Sequence, residues 1–447
     1  MRVDVEPSDS LDALRRKASM VRPSPRQVAW QRQELTAFVH FGPNTFTDLE
    51  WGTGVDDPAV FDPSALDCSQ WVRTLVSAGF KSVILTAKHH DGFCLWPSRY
   101  LPHTVAASPY RGDVVAALAS ACREQGLGLG FYLSPADLYQ EKADGGYYGN
   151  GSPVVSSEIP SLVVDESLPR FRYDVDDYNR FYLNQLYELL TQYGPIAEVW
   201  LDGANPTSTA QAYAYEAWFD LIRRLAPDAT IAVGGPDVRW VGNEDGFARE
   251  TEWSVVPFAG QRMVAEQTAS DVAGPPLLRK ADELRWYPAE VDVSIRPGWF
   301  YHAAEDSAVK SLPELLDIYR KSVGRNAVLL LNMPPDRRGL FAPPDVARLA
   351  EFGAAVREYY ETDVSLPATV NVIDLREDIS RGQQVESFAV DALLAGEWTQ
   401  VAAGTTIGHR RLLPLDEPLP VSAVRLRILS SRAEATAALS LHYDPTI

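Results

Sequence analysis

Carboxylate and histidine side chains follow apolar segments at several points in the chain, and these residue types could support acid–base or nucleophilic chemistry. Asp202 comes directly after the apolar residues 196–201 and precedes Gly203. A carboxylate in that position is costly to bury unless it is paired or used. Two interpretations are open, because Asp202 could cap the following helix or act as a reactive group in a site.

A second carboxylate is needed if two acidic groups share the proton transfers of one reaction. Residues 239–246 form a glycine-containing stretch just after a predicted strand, and they contain Glu244, with Glu250 and Glu252 as close rivals. We favour Glu244 because it lies nearest the end of that strand. Two carboxyl groups flanking a glycosidic bond hydrolyse it, with retention at a separation of about 5–5.5 Å and inversion at about 6.5–9.5 Å.

The elements that must position these residues alternate between short apolar strands and amphipathic helices. Strands are predicted at residues 35–40, 81–87, 127–133, 196–201, 230–233, 290–295 and 327–331, and helices at 64–79, 113–125, 176–193, 213–225, 312–323 and 344–360. Apolar strands alternating with helices predict a parallel sheet covered on its outside. About eight such units favour an α/β fold of the (β/α)8-like TIM-barrel type, and the absence of GxGxxG disfavours a dinucleotide-binding fold.

The pattern changes after about Leu366, where helical periodicity stops and short strands follow. These strands are predicted at residues 368–374, 384–390, 398–402, 410–414, 423–429 and 437–442. They predict a C-terminal β-sandwich. We therefore expect a catalytic barrel over residues 1–364 and a β-sandwich over residues 365–447.

Polar and aromatic residues stand where the predicted strands end, which is the edge that carries the active site in such a barrel. These residues are His40, His89, His90, Tyr132, Trp200 and Asp202. Aromatic rings pack on the apolar face of a sugar while polar groups bond its hydroxyls. Trp51, Trp240 and Trp299 fall in loops or at strand ends and suit that role, whereas Trp71 and Trp218 are predicted to be core residues.

The same histidines leave a metal-dependent hydrolase open as an alternative. His40, His89, His90 and Asp202 are residue types that bind metal ions. No His-x-His pair follows the first strand, and no bridging lysine is obvious, so the alternative is disfavoured and we predict no metal site.

Composition narrows the classes of partner and compartment. The formal net charge of −19 disfavours nucleic-acid and anionic-membrane surfaces and suits a neutral ligand. Cys68, Cys94 and Cys122 are too few for a disulfide framework. The first 20 residues lack an apolar segment, so we expect a cytoplasmic protein, or a secreted one if a signal peptide has been removed.

As a set, the motifs resemble the α-L-fucosidases of glycoside hydrolase family 29. The resemblance covers residues 23–344, with a weaker likeness in the C-terminal part. It is carried by Phe38-Val-His-Phe-Gly42, Leu49-Glu-Trp-Gly52, Ala87-Lys-His-His-Asp-Gly-Phe93, Phe131-Tyr-Leu-Ser134, Val199-Trp-Leu-Asp-Gly203, Ser322-Val-Gly-Arg-Asn326 and Leu329-Leu-Leu-Asn-Met-Pro-Pro-Asp336.

The resemblance implies a retaining mechanism with Asp202 as nucleophile and no cofactor. The positions that it matches to fucose-holding residues are His40, Glu50, Trp51, His89, His90, Tyr132 and Trp299, and we add Trp200 as a substrate-binding residue. Residues 239–246 resemble the subgroup that cleaves α-1,3- and α-1,4-linked fucose from Lewis-type glycans, and there the acid/base carries over to Glu244. The expected partner is a fucosylated oligosaccharide. A fucosidase of broader specificity and a non-catalytic fucose-binding protein are the alternatives.

Overall fold

The computed structural model describes residues 2–162, 165–203 and 209–447, and its centre is a sheet of eight parallel strands. The strands are β1 (Leu35–Val39), β2 (Ser82–Lys88), β3 (Gly128–Leu133), β4 (Glu198–Leu201), β5 (Thr230–Val233), β6 (Arg239–Trp240), β7 (Ala289–Ser294) and β8 (Val328–Asn332). Each strand pairs with its neighbours in chain order, and β8 pairs with β1. A parallel bridge between Ala232 and Val238 joins β5 to the β6 edge and closes the sheet, which confirms the predicted TIM-like barrel.

Helices cover the outside of the sheet. Those that follow barrel strands are Cys68–Ala78, Val114–Gln125, Asp177–Gln192, Tyr215–Leu225, Leu312–Lys321 and Pro343–Tyr360. The second begins where the Asp113 side chain accepts a hydrogen bond from the Ala116 backbone and ends at Gly126, whose φ of 69° suits glycine. Within the described part of the chain, no helix is both long and apolar enough to cross a membrane.

Strand β6 was not predicted, and its presence corrects the position of the loop that carries Glu244. The strand contains two residues and is held by pairing with Ala289 and Glu290 of β7. Such a short strand leaves no apolar run, so the sequence predicts residues 239–246 as the loop after the fifth strand. Glu244 instead follows the sixth barrel strand.

Two further antiparallel units were also not predicted. Arg2–Asp4, Glu283–Trp286, Val255–Ala259 and Arg262–Met263 form a four-stranded sheet in that order. Val155–Ile159 pairs with Phe171–Val175 as a hairpin. The N-terminal strand pairs with residues near the end of the barrel, and such long-range pairing leaves no local signal.

The C-terminal part consists of two three-stranded antiparallel sheets, in agreement with the predicted β-sandwich. One sheet contains Arg411–Val421, Ala368–Glu377 and Ala437–His442, and the other contains Glu397–Gly404, Val385–Leu394 and Val424–Ser431. Side chains from both sheets meet in a separate apolar core that includes Ile373, Leu375, Phe388 and Val390.

A buried network of charged groups joins the sandwich to the barrel. The Arg410 guanidinium, which is fully buried, donates to Glu34 Oε2 at 2.7 Å and to Asp374 Oδ2 at 3.0 Å. It also donates to the Tyr319 hydroxyl at 2.6 Å and to the Tyr360 carbonyl at 2.6 Å. Arg376 also pairs with both carboxylates, at 2.8 Å from Glu34 and 3.4 Å from Asp374, but its side chain is 38% exposed. Arg410 is therefore the fully buried cation of a network that compensates both carboxylates.

Replacing Arg410 with alanine should lower the free energy of unfolding by up to about 3–5 kcal/mol, because buried Asp374 and partly buried Glu34 lose their buried cationic partner and keep only the more exposed Arg376. Arg427→Ala is the matched control. Its guanidinium pairs with Asp391 on the sandwich surface, at 41% side-chain exposure, and its loss should cost less than about 1 kcal/mol. Urea unfolding of both variants measures the difference, and equal losses would show that the network does not stabilise the junction.

Candidate active site

A cavity of about 160 Å³ opens at the C-terminal ends of the barrel strands. All ten residues selected from the sequence line it, together with Phe38 and Asp292, and the ten are His40, Glu50, Trp51, His89, His90, Tyr132, Trp200, Asp202, Glu244 and Trp299. The polar residues that follow separate strands therefore converge, as expected for a parallel barrel.

Asp202 follows β4 and is held by groups from two neighbouring strands. The Tyr132 hydroxyl, on β3, donates to Asp202 Oδ2 at 3.0 Å. His90 Nε2, after β2, lies 3.6 Å from the same oxygen. The N-cap residue of helix Tyr215–Leu225 is Ala214, so the interpretation of Asp202 as the cap of that helix is wrong.

His90 is neutral and its tautomer is fixed by Ser134. The Ser134 hydroxyl donates to the Ala136 carbonyl at 2.7 Å, so its oxygen accepts from His90 Nδ1, also at 2.7 Å. Burial lowers the pKa of His90 below its usual value, and the nearby Lys88 lowers it further, although the Asp202 carboxylate opposes both. The neutral ring presents the lone pair of Nε2 on the side of Asp202.

His40 is fixed in the same way by Asn332 at the end of β8. Asn332 Nδ2 donates to Ser294 Oγ at 2.9 Å and to the Trp299 carbonyl at 2.8 Å. Its Oδ1 therefore accepts from His40 Nδ1 at 2.8 Å. Burial lowers the pKa of His40 to about 3, although the bond to Asn332 favours the charged form. Neutral His40 keeps Nε2 as a hydrogen-bond acceptor.

His89 packs among rings. Its imidazole stacks on Tyr132 at a centroid distance of 5.6 Å and meets the edge of Phe300 at 5.1 Å. Burial lowers the pKa of His89 well below its usual value, and the neighbouring histidines His90 and His40 lower it further. All three histidines of the cavity are thus neutral near pH 7.

Aromatic rings inside the barrel support the cavity. Trp200 stacks on Tyr132 at 5.3 Å, and its indole Nε1 donates to Glu290 Oε2 at 2.8 Å. Trp30 donates in the same way to Glu198 Oε2 at 2.9 Å. Burial raises the pKa of Glu198 to about 8 and that of Glu290 well above its usual value. These carboxyl groups are therefore neutral hydrogen-bond partners that orient the indoles.

Glu50 and Trp51 form one side of the cavity mouth. The Glu50 carboxylate accepts from the Trp299 backbone N–H at 3.0 Å and from His302 Nε2 at 2.6 Å. Glu50 thus fixes the loop that carries Trp299. Trp51 is 50% exposed, and its ring lies 4.8 Å from that of His90. An exposed ring at the mouth of a polar cavity suits contact with a bound sugar.

Of the three glutamates considered from the sequence, Glu244 alone lines this cavity. Desolvation raises the pKa of Glu244, and the negative charges of Asp202, Asp245 and Glu50 raise it further, against a hydrogen bond with Trp299. Glu252 is buried in ion pairs with Arg239 and Arg249. Glu250 is exposed and lines a separate cleft beside Arg411.

Comparison with known proteins decides the family. A family model described as "Alpha-L-fucosidase" matches residues 28–361, which is most of the chain. The chain belongs to the α-L-fucosidase family. The family's activity is that of a glycoside hydrolase, and membership supports α-L-fucosidase activity for this chain.

Relatives of this family match along nearly the whole length. "Alpha-L-fucosidase 1" of Arabidopsis thaliana is 37% identical over 478 residues, covering 94% of this chain and 87% of the relative. A Bacteroides ovatus crystal structure has 43% identity and a TM-score of 0.90, covering 99% of this chain and 78% of that chain. A Ruminococcus gnavus family 29 fucosidase in complex with fucose has 28% identity and a TM-score of 0.79, with 95% of each chain covered.

Sequence reasoning missed Asp292, which lines the cavity, and two residues that position its histidines. Asn332 and Ser134 each fix a histidine tautomer, and both follow apolar strands. Asp202 was predicted because it follows an apolar strand, so Asn332 and Ser134 could have been predicted in the same way. Asp292 lies inside β7 between Val291 and Val293, where alternation alone does not show which face meets the cavity.

The described residues contain no group of three or more His, Cys, Asp or Glu side chains arranged to hold a metal ion. The alternative set of His40, His89, His90 and Asp202 is instead engaged in the hydrogen bonds and ring contacts given above. Each of these contacts prepares the cavity for a polar organic ligand.

Proposed function

We propose that this fucosidase is a retaining enzyme that releases α-1,3- and α-1,4-linked fucose from Lewis-type branched oligosaccharides. The observation that carries the proposal is that Asp202 and Glu244 line one cavity together with neutral histidines and tryptophans. At about 160 Å³, the cavity is smaller than the pockets of roughly 300–1,000 Å³ that enclose drug-sized ligands. It therefore suits a single sugar ring, with the rest of the glycan outside.

Asp202 attacks the anomeric carbon of fucose while Glu244 donates its proton to the departing glycosidic oxygen. The C1–O bond breaks as a bond from Asp202 to C1 forms. Water then attacks C1 of this fucosyl ester, Glu244 takes a proton from that water, and Asp202 leaves as a carboxylate. The overall reaction consumes one water and retains the α configuration.

The electrostatics of the pair support this exchange of roles. The charge on Asp202 contributes to the raised pKa of Glu244, which favours the protonated form of Glu244 before the first step. Ester formation removes that charge, so the pKa of Glu244 falls when it must act as a base. The same carboxyl group thereby suits both steps.

Neutral histidines and exposed rings supply the binding contacts. His40 and His90 each present an unprotonated Nε2, which accepts a hydrogen bond from a sugar hydroxyl. Trp51 and Trp299 offer rings at the mouth to the apolar face of the sugar. Fucose carries both kinds of surface, since one edge bears hydroxyls and C6 is a methyl group.

The linkage preference rests on residues 239–246, which resemble the subgroup specific for α-1,3 and α-1,4 links. This segment brings Glu244 to the cavity, and the Trp240 indole of the same segment donates to Asp292 of the cavity. Residues 239–246, which carry the resemblance to the α-1,3/1,4-specific subgroup, therefore contact the departing sugar.

Fucose release from a Lewis-type trisaccharide, an α-1,2-fucosyllactose and an aryl fucoside tests the proposal. We expect kcat/KM for the trisaccharide to exceed that for the α-1,2-linked substrate by at least about tenfold, which is the range that pocket contacts provide. Similar values for all three would indicate a fucosidase of broad specificity. Fucose binding without release from any substrate would indicate a non-catalytic binding protein.

A further inference from the structure

Asp292 is a buried carboxyl group that lines the cavity, and it has no role in the mechanism proposed above. It lies on β7, paired in register with Leu330 of β8, and it is 5% exposed. The Trp240 indole Nε1 donates to Asp292 Oδ1 at 2.7 Å. The residue lines the cavity, and the bond from Trp240 engages Oδ1 rather than Oδ2.

The groups around Asp292 favour its neutral form. Burial raises the pKa of Asp292 to about 7, and the charges of Glu244 and Asp202 add to this, while the Trp240 bond opposes them. Among the described residues, no lysine, arginine or histidine is a cause of its pKa shift or an ion-pair partner. A buried carboxyl group that lacks a cationic partner and lies near other acidic groups favours its protonated form.

Several groups of the cavity are hydrogen-bond acceptors. His40 and His90 present acceptor nitrogens, and Asp202 is a carboxylate. The Tyr132 hydroxyl proton is already given to Asp202, at 3.0 Å. Each sugar hydroxyl has one proton to donate and an oxygen that accepts. The sugar oxygens also need donors, and a protonated carboxyl group provides one.

We propose that Asp292 is a substrate-binding residue that acts as a neutral acid, with Oδ1 accepting from Trp240 and protonated Oδ2 donating to a hydroxyl oxygen of fucose. The proposal rests on the proposed function, because it concerns the same sugar in the same cavity. Ionisation of Asp292 removes the donor and places a further negative charge in the cavity of Asp202. Fucose affinity should therefore fall as the pH rises through the pKa of Asp292.

The other cavity groups with strongly shifted pKa values have them away from the pKa of Asp292. Burial lowers the pKa of His40, His89 and His90, and it raises that of Tyr132 far above its usual value. Glu244 is the other carboxyl group of the cavity whose pKa is raised, so a variant at Glu244 is the necessary control. The residues that face the cavity with titratable side chains are His40, Glu50, His89, His90, Tyr132, Asp202, Glu244 and Asp292.

Calorimetric titration of L-fucose into the full chain at pH 5.5 and pH 8.5 tests the proposal. A group with a pKa of about 7 is almost wholly protonated at the first pH and about one-thirtieth protonated at the second. Wild-type affinity should therefore fall by up to about thirtyfold. Asp292→Asn keeps the Trp240 acceptor and a donor that does not titrate, so its affinity should stay near the acidic wild-type value at both pH values.

Two further variants complete the test. Glu244→Gln should still lose affinity between pH 5.5 and pH 8.5, with the decrease at lower pH because the Glu244 charge no longer raises the pKa of Asp292. Asp292→Ala should bind fucose at least about tenfold more weakly at pH 5.5, in line with the loss of one hydrogen bond to a buried partner. An equal pH dependence in wild type and Asp292→Asn would overturn this inference alone, and so would loss of the pH dependence in Glu244→Gln. Absence of fucose binding by the wild type at either pH would overturn the proposed function.

Discussion

Replacing Asp202 with alanine is expected to lower kcat by about 10⁴-fold or more, because the first bond to C1 cannot form without the carboxylate. The fold should remain intact. Asp202 lies at the end of β4 with its side chain 26% exposed, so its removal leaves no large buried cavity. Added azide fits the vacated space and attacks C1 from the same face, so turnover should partly recover with β-fucosyl azide as the product. The measurement is kcat on an aryl fucoside with and without azide, together with the configuration of the product by NMR.

Asp220→Ala provides the matched control for this loss. Asp220 pairs with Arg224 on an outer helix, with its side chain 43% exposed, and it does not line the cavity. We expect this variant to keep the wild-type kcat and to show no response to azide. Wild-type turnover by Asp202→Ala would contradict the assignment of Asp202 as the nucleophile.

Replacing Glu244 with alanine is expected to lower kcat/KM by about 10²–10⁴-fold on a natural oligosaccharide, which is the usual effect of losing a general acid. The loss should be far smaller on an aryl fucoside, because a good leaving group departs without protonation. The ratio of kcat/KM for the two substrates, measured for wild type and variant, isolates the acid role from a structural effect.

Glu250 and Glu252 serve as controls from the same segment. Glu250 is exposed beside Arg411, so Glu250→Ala should leave both substrates unaffected. Glu252 compensates Arg239 and Arg249, so Glu252→Ala should lower the free energy of unfolding without changing the ratio between the substrates. A change in that ratio for either variant, with Glu244→Ala unaffected, would move the acid role away from Glu244.

The barrel was predictable because its strands are buried on both faces and therefore appear as apolar runs. All seven residues of β2 are buried, for example, and its helix partner ends at glycine. Strand β6 was not predictable, because two residues cannot form a recognisable run and closure there depends on a single bridge to Val238. The N-terminal strand Arg2–Asp4 pairs with Glu283–Trp286, and such a distant partner leaves no mark on local sequence.

The cavity was predictable where a polar residue follows an apolar strand, which is how His40, His90 and Asp202 were found. Asp292 required the structure, because it lies within a strand rather than at its end. The role of Glu50 also required it. Glu50 meets His302 and the Trp299 backbone across two loops that are far apart in the chain, and only the folded geometry shows that one loop fixes the other.

The central claim is that Asp202 forms a covalent bond to fucose, and trapping that species tests it most directly. With a 2-deoxy-2-fluoro-fucosyl fluoride, fluoride leaves C1 as Asp202 attacks, and this good leaving group keeps ester formation fast. The fluorine at C2 destabilises the oxocarbenium-like transition state of the second step, so the ester is hydrolysed slowly. Peptide mapping by mass spectrometry should then place one fluorofucosyl group on Asp202. A label on another carboxylate, or no label together with β-fucose as the first product of hydrolysis, would contradict the account.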